Sequence, residues 1–148
     1  MENKIETLIG QKVTKSSSGG SAGSILIIEF SNSSYFVIWC SWRVESALKV
    51  LVTSSDTVLP TENNHSPNGF IGDNISLLIG KKVTSVNLKS FYDLEIVFDR
   101  EYTLRVFCDI GVSRDDYGIN WELNLPLENI SIEINNYFEM KKIEEEFE

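Results

Sequence analysis

The segment LIGQKVT at 8–14 returns almost unchanged as LIGKKVT at 78–84. The correspondence continues downstream. Leu26-Ile27-Ile28-Glu29-Phe30 aligns with Leu94-Glu95-Ile96-Val97-Phe98, and Tyr35-Phe36-Val37-Ile38-Trp39-Cys40 aligns with Thr103-Leu104-Arg105-Val106-Phe107-Cys108. Trp42-Arg43-Val44 then matches Trp121-Glu122-Leu123, after an insertion in the second copy. An internal repeat restricts the fold more than any single motif, because two similar units must bury similar faces and do so most economically against each other. The chain therefore reads as one domain of two repeats, at about 5–53 and 75–134, with a linker at 54–74 and a tail at 137–148.

Each repeat reads as strands. Tyr102, Leu104, Val106, Cys108 and Ile110 alternate with Glu101, Thr103, Arg105, Phe107 and Asp109; before them, Leu94, Ile96 and Phe98 alternate with Asp93, Glu95, Val97 and Asp99. A period of two marks half-buried strands. Asp99-Arg100-Glu101 is short enough for a hairpin, and Ser31-Asn32-Ser33-Ser34 takes the same place in the first repeat. Opening strands follow Gly10 and Gly80, where a side chain would resist the backbone geometry, and closing strands are expected near 42–52 and 121–134. The expected fold is all-β and mainly antiparallel: a duplicated meander forming a sandwich or partly open barrel with pseudo-twofold symmetry. KSSSGGSAGS at 15–24 reads as a flexible stretch, and its counterpart SVNLKSFYD at 85–93 as strand. Tyr137, Met140, Ile143 and Phe147 are spaced like one face of a short C-terminal helix.

Charge is divided unequally. The 148 residues carry a formal charge of −9. Residues 1–90 hold seven acids and eight bases, whereas residues 91–148 hold fifteen acids and five bases. The acidity belongs to the second repeat and the tail. It removes the basic footprint of a nucleic-acid binder and favours a basic partner. No apolar run approaches the ~20 residues that span a bilayer, and the N-terminal MENKIETLIG lacks the apolar core of a signal peptide, so the expectation is a cytoplasmic protein without a membrane partner.

The repeats differ on their outward faces. Those of the second are mostly polar, while the first places Ile25, Ile27, Tyr35, Val37 and Trp39 at the equivalent positions. A bare patch of that kind would be large for a monomer. The tail helix, the linker or a second copy of the chain are the expected covers, which makes this face an alternative interface and a possible homodimer contact.

Catalytic chemistry is hard to place. His65 lies in an Asn/Ser/Pro-rich linker without an orienting partner. Cys40 and Cys108 occupy equivalent positions and read as small buried hydrophobes; their symmetry could juxtapose them, but a cytoplasmic setting argues against a disulfide. The glycine-rich stretch lacks the phosphate-binding pattern, and Asp109, Asp115 and Asp116 lack calcium-loop spacing. The reading is a non-enzymatic protein with no cofactor and no metal site. The insertion IGVSRDDYGIN at 110–120 is the most site-like segment, because it puts Arg114, Asp115, Asp116 and Tyr117 on a loop held by a sheet.

With its duplication, its L-I-G-x-K-V-T openings (Leu78, Gly80 and Val83 in the second), its hairpins through Leu94, Ile96 and Phe98, and its W-x-[VL] segments at Trp42 and Trp121, the chain resembles small β-rich bacterial immunity proteins of polymorphic-toxin and contact-dependent-inhibition systems. The resemblance implies a cytoplasmic protein that binds and blocks a cognate toxin, such as a nuclease. Asp99, Glu101, Asp109, Asp115 and Asp116 would then meet a basic cleft, with Arg114 and Tyr117 as anchors. The alternative is a structural or adaptor module that binds through the apolar face of the first repeat.

Overall fold

A computed structural model of the chain describes residues 2–18, 24–56, 69–112, 117–144 and 147. The first copy runs through helix α1 (Glu2–Glu6) and strands β1 (Val13–Ser17), β2 (Leu26–Phe30), β3 (Tyr35–Ile38), β4 (Ser41–Glu45) and β5 (Val50–Thr53). The second runs through helix α2 (Gly69–Ile75) and strands β6 (Val83–Leu88), β7 (Leu94–Phe98), β8 (Tyr102–Phe107), β9 (Ile119–Leu125) and β10 (Ile130–Asn135). A last strand, β11 (Met140–Glu144), extends beyond the repeat. The strands form a six-stranded sheet in the order β1-β2-β3-β9-β10-β11 and a five-stranded sheet in the order β5-β4-β8-β7-β6. Every pairing is antiparallel, and the two open sheets make a sandwich rather than a closed barrel.

The order shows how the copies depend on each other. Each copy gives a three-stranded meander to one sheet and its closing hairpin to the other. The joints are β3 against β9 and β4 against β8, and they match: Ile38 faces Trp121 in one, Val106 faces Trp42 in the other. Neither copy completes a sheet alone.

Local details recur with the strands. Gly10 and Gly80 have φ of +92° and +86°, which favours glycine. Their N–H groups donate across to the other copy, Gly10 to the Val83 carbonyl and Gly80 to that of Val13, both at 2.8 Å. Between them, Lys12 and Lys82 form an isolated antiparallel bridge. The register slips once between Val13 and Lys15, and again between Val83 and Ser85. The buried indoles of Trp42 and Trp121 donate to the carbonyls of Ser24 and Tyr92 at 2.8 and 2.9 Å. Such paired details fit an approximate twofold axis, which passes where equivalent residues meet, as Lys12 and Lys82 do.

The alternation sorts side chains between core and solvent. Leu26, Ile28 and Phe30 on β2, and Leu94, Ile96 and Phe98 on β7, are all buried. Phe30, Phe36 and Trp121 pack edge to face, at centroid separations of 6.0 and 5.7 Å. Helix α1 lies against β6, and α2 against β5 and β1. They bring Ile5, and Ile71 with Ile75, into the core at the open sides of the sandwich.

Several segments depart from the sequence expectation. The tail is not a helix: Met140–Glu144 pairs with β10 from Ile134 opposite Met140 to Ile130 opposite Glu144. Its spacing fits a helical face, but the free edge of β10 offers a full ladder of backbone partners. The Asn135 side chain also accepts the N–H groups of Tyr137 and Glu139 at 2.9 and 3.0 Å, which fixes a tight turn. Lys15–Ser17 belongs to β1 rather than to a flexible stretch, because β2 lies beside it; residues 19–23 lie outside the described residues. In the second copy the strand stops at Leu88, and a single 3-10 turn follows, with φ of +56° at Phe91 and +70° at Tyr92. The linker begins with a turn at 54–56 after β5 and ends in α2; residues 57–68, including His65, lie outside the described residues.

Candidate functional site

Because Leu26, Ile28, Phe36, Ile38, Trp121, Leu123, Ile132 and Ile134 are buried, the residues between them on β2, β3, β9 and β10 take the outer face of the six-stranded sheet. The register joins them into rows. Ile27 lies opposite Val37, Val37 opposite Glu122, Glu122 opposite Glu133, and Glu133 opposite Lys141. Beside that row runs another: Glu29, Tyr35, Asn124, Ser131, Ile143. One face thus passes from apolar side chains of the first copy to carboxylates of the second.

The acidic part of the face is built around Glu133, whose residue is only 7% exposed. Its carboxylate accepts the Tyr117 hydroxyl. Burial first, then that hydrogen bond, then the negative charges of Glu133, Glu122 and Glu139 push the Tyr117 phenol up to about 12. Three carboxylates therefore act on one ring. Lys141 stands 5.8 Å from the ring centroid, in cation–π range. Asn124 donates to Glu122 at 3.2 Å. Tyr117 itself is 54% exposed, so it is an accessible edge of a negative surface.

The structure separates the residues expected to form one acidic site. Asp99 and Glu101 are exposed at the β7–β8 turn. There Asp99 accepts the Lys82 backbone N–H at 3.0 Å, and its φ is +52°. Asp109 lies past the other end of β8, where its carboxylate holds the backbone N–H and hydroxyl of Ser41. The six residues of β8 put about 20 Å between those positions. Tyr117 belongs with neither group; it sits on the outer face of the other sheet. Arg114, Asp115 and Asp116 lie outside the described residues.

The alternative interface shares that outer face. Ile25, Tyr35, Val37 and Trp39 are half-buried and Ile27 is 37% exposed. The expected cover by a tail helix is wrong, since β11 extends the edge of the sheet instead of crossing its face. Sequence reasoning missed Glu122, Glu133, Glu139 and Lys141. The alternation in INWELNL and ISIEIN could have turned Glu122 and Glu133 outward, but only the β3–β9 pairing puts them beside Val37.

The five-stranded sheet presents a contrasting outer face. Arg105 bonds to both Glu45 and Glu95, and Arg43 bonds to Glu45 at 2.6 Å while lying 5.3 Å from the Phe107 ring centroid. Burial opposes ionisation of Glu45, but the hydrogen bonds from Arg43 and Arg105 outweigh it and hold the carboxyl below its usual range. Arg105 does the same for Glu95 and is itself raised by that bond. This face satisfies its own charges.

Among the described residues, no three of His, Cys, Asp and Glu gather as metal ligands, and no helix is long and apolar enough to cross a membrane. Cys40 and Cys108 are both free thiols. Comparisons with protein-family models, with curated proteins and with solved structures find no match for this chain.

Proposed function

We propose that the chain is a protein-binding inhibitor of the immunity type, which engages a basic protein toxin through the outer face of its six-stranded sheet. The observation that carries this reading is the row Ile27–Val37–Glu122–Glu133, where an apolar patch adjoins a carboxylate cluster. Apolar residues supply desolvated contact area, and the neighbouring carboxylates speed encounter with a positively charged surface. The opposite sheet face, with its arginines and glutamates already paired, has less charge to offer a partner. Inhibition would be steric: the sheet covers a basic cleft, with Tyr117 as an anchor at its edge.

Capture of partners by the tagged full chain from the cells that produce it, read by mass spectrometry, tests the proposal. Ile27→Arg combined with Glu122→Lys should abolish capture, and Thr103→Lys, on the other sheet, should preserve it. The captured protein, expressed alone, should arrest growth, and co-expression of this chain should relieve the arrest. A captured protein that is harmless alone would move the assignment to an adaptor using the same face. Capture indifferent to the double substitution would refute the face itself.

A further inference from the structure

Cys40 and Cys108 are equivalent in the repeat, and they come together at the joint between the copies. Strands β4 and β8 pair with Trp42 opposite Val106 and Ser41 opposite Phe107. Both cysteines lie just past the ends of these strands, and continuing the same register by one step places Cys40 opposite Cys108. In an antiparallel pair, opposed residues alternate between those that exchange backbone hydrogen bonds and those that do not, and the second kind lies closer. Here the Cys40 N–H donates to the Asn120 carbonyl at 3.1 Å and the Cys108 N–H to the Asp93 carboxylate at 2.7 Å. The backbone of Trp42 bonds away from β8, its carbonyl accepting the Ser54 N–H at 2.9 Å and its N–H donating to the Ser54 hydroxyl at 3.1 Å. Trp42 and Val106 are therefore a pair of the closer kind, and by the alternation Cys40 and Cys108, two positions on, are the same kind. Pairs of that kind have Cα separations of about 4.5 Å, within the roughly 4.4–6.8 Å that a disulfide spans.

The side chains are turned towards each other as well. The Cys40 thiol lies within interaction range of the Cys108 thiol, which itself donates to the Tyr92 carbonyl at 3.4 Å. That contact, together with burial and the neighbouring charges, raises the Cys40 thiol far above its usual range. The two differ in access: Cys40 is 2% exposed, and Cys108 is half-buried. An oxidant therefore reaches Cys108 first, with Cys40 already in place behind it.

We propose that Cys40 and Cys108 form a reversible oxidation site, closing to an intramolecular disulfide that clasps the two copies together. With a peroxide as oxidant, the Cys108 thiolate attacks one peroxide oxygen. The O–O bond breaks, one oxygen leaves as water after protonation, and Cys108 becomes a sulfenic acid. The Cys40 sulfur then attacks the Cys108 sulfur, the S–O bond breaks, and the second oxygen leaves as water carrying the Cys40 proton. Two thiols and one hydrogen peroxide become one disulfide and two waters. A small dithiol reverses the change by thiol–disulfide exchange. The bond would tie the β3–β4 connection to the end of β8, from which the Tyr117 loop departs.

The test is to treat the folded full chain with hydrogen peroxide at low protein concentration and read its intact mass without reductant. The wild-type protein should lose the mass of two hydrogen atoms, and digestion should yield one cross-linked pair of peptides containing Cys40 and Cys108. Dithiothreitol should restore the original mass, and the oxidised protein should unfold at higher urea than the reduced one. In Cys40→Ala, dimedone should trap a sulfenic acid on Cys108; in Cys108→Ser, Cys40 should remain unmodified at the same dose. The wild-type chain carries the deciding measurement, so a poorly folding variant leaves the test intact. The proposal is overturned if wild-type Cys108 gains oxygen without the loss of two hydrogens, if cross-links form only between chains, or if both thiols stay unmodified at doses that oxidise exposed cysteines.

Discussion

Gly10 and Gly80 allow a measurement in which side-chain contacts play almost no part. Both hold a φ near +90°, and a Cβ at either would meet nothing within 4 Å. Replacing either by alanine therefore introduces no clash and removes no side chain. What remains is the strain of an L-residue at positive φ, about 1–2 kcal/mol. Against it stands alanine's smaller loss of unfolded-state entropy, about 0.4–1 kcal/mol. The net expectation is a loss of about 1 kcal/mol at each position, or a fall in melting midpoint of about 2–4 °C for a chain of this size. Gly111 is the control. It too has open space for a Cβ, but its φ lies outside the positive range. Gly111→Ala should gain about 0.4–1 kcal/mol by the same entropy argument. The same chemical change thus carries opposite signs at positions that share open space for a Cβ and differ in φ.

Urea unfolding followed by tryptophan fluorescence reads the effect directly, since Trp42 and Trp121 are fully buried. The midpoint should move while the slope stays constant, because the substitutions expose no new surface. Gly10→Ala and Gly80→Ala should cost nearly equal amounts, as each N–H bridges to the other copy in the same way. Neutral substitutions, or substitutions that stabilise as Gly111→Ala does, would refute the backbone argument. A cost at one glycine with none at the other would refute the equivalence of the two turns.

Arg105→Met removes the shared partner of Glu45 and Glu95. Both carboxyls sit below their ordinary value in the fold, so the stability they contribute is present above that value and is lost as pH falls through their depressed folded values. The variant should lose about 1–2 kcal/mol at neutral pH, and its acid unfolding should begin at higher pH, read by urea midpoints across the acid range. For Tyr117 the sign is opposite. Its folded value, about 12 against an ordinary 10.0, means that its contribution holds below pH 10 and fades as pH rises towards 12. A near-ultraviolet titration should show Tyr117 ionising late, as Tyr102 beside Glu101 also does, and only the Tyr117 step should move earlier in Glu133→Gln. Deleting the chain from Met140 should cost only about 1–2 kcal/mol, because β11 is mostly exposed, where a buried four-residue apolar face would have cost several times more. The bared β10 edge should promote association, visible by light scattering.

Much of the fold was legible because duplication and alternation are local signals. Leu94, Ile96 and Phe98 announce their inward face within a few residues, and the paired glycines mark their turns. The partition of strands between sheets was not legible. A strand's period says which side chains are buried, never which strand lies beside it, so β4 beside β8 and β3 beside β9 could not be read from alternation. The tail shows a second limit. Tyr137, Met140, Ile143 and Phe147 satisfy a helical spacing, yet five residues there add a strand to a waiting edge. The hydrogen-bonding value of that edge belongs to β10, not to the tail's own pattern.

The candidate site was hidden for the same reason. The apolar face of the first copy and the acidic character of the second are each visible in the sequence, and they looked like two rival interfaces. The exchange of hairpins makes them neighbours. Once β9 crosses into the first copy's sheet, Glu122 arrives opposite Val37 and Glu133 follows one strand further out. The inserted loop then sets Tyr117 on Glu133. By contrast, Asp99 and Asp109 belong to a single copy and are parted by the length of β8. Charge counted along the chain could not have distinguished these outcomes, because acids separated by one strand's length in sequence point to opposite ends of a sheet. Acids on neighbouring strands share one potential however far apart they lie in the chain. Charge reversal at Glu122 should therefore slow association with a basic partner more than charge reversal at Asp99, although both remove one acid from the same net charge. Equal effects would mean that the partner senses only the total charge of the protein, and that the row across the six-stranded sheet has no special part in recognition.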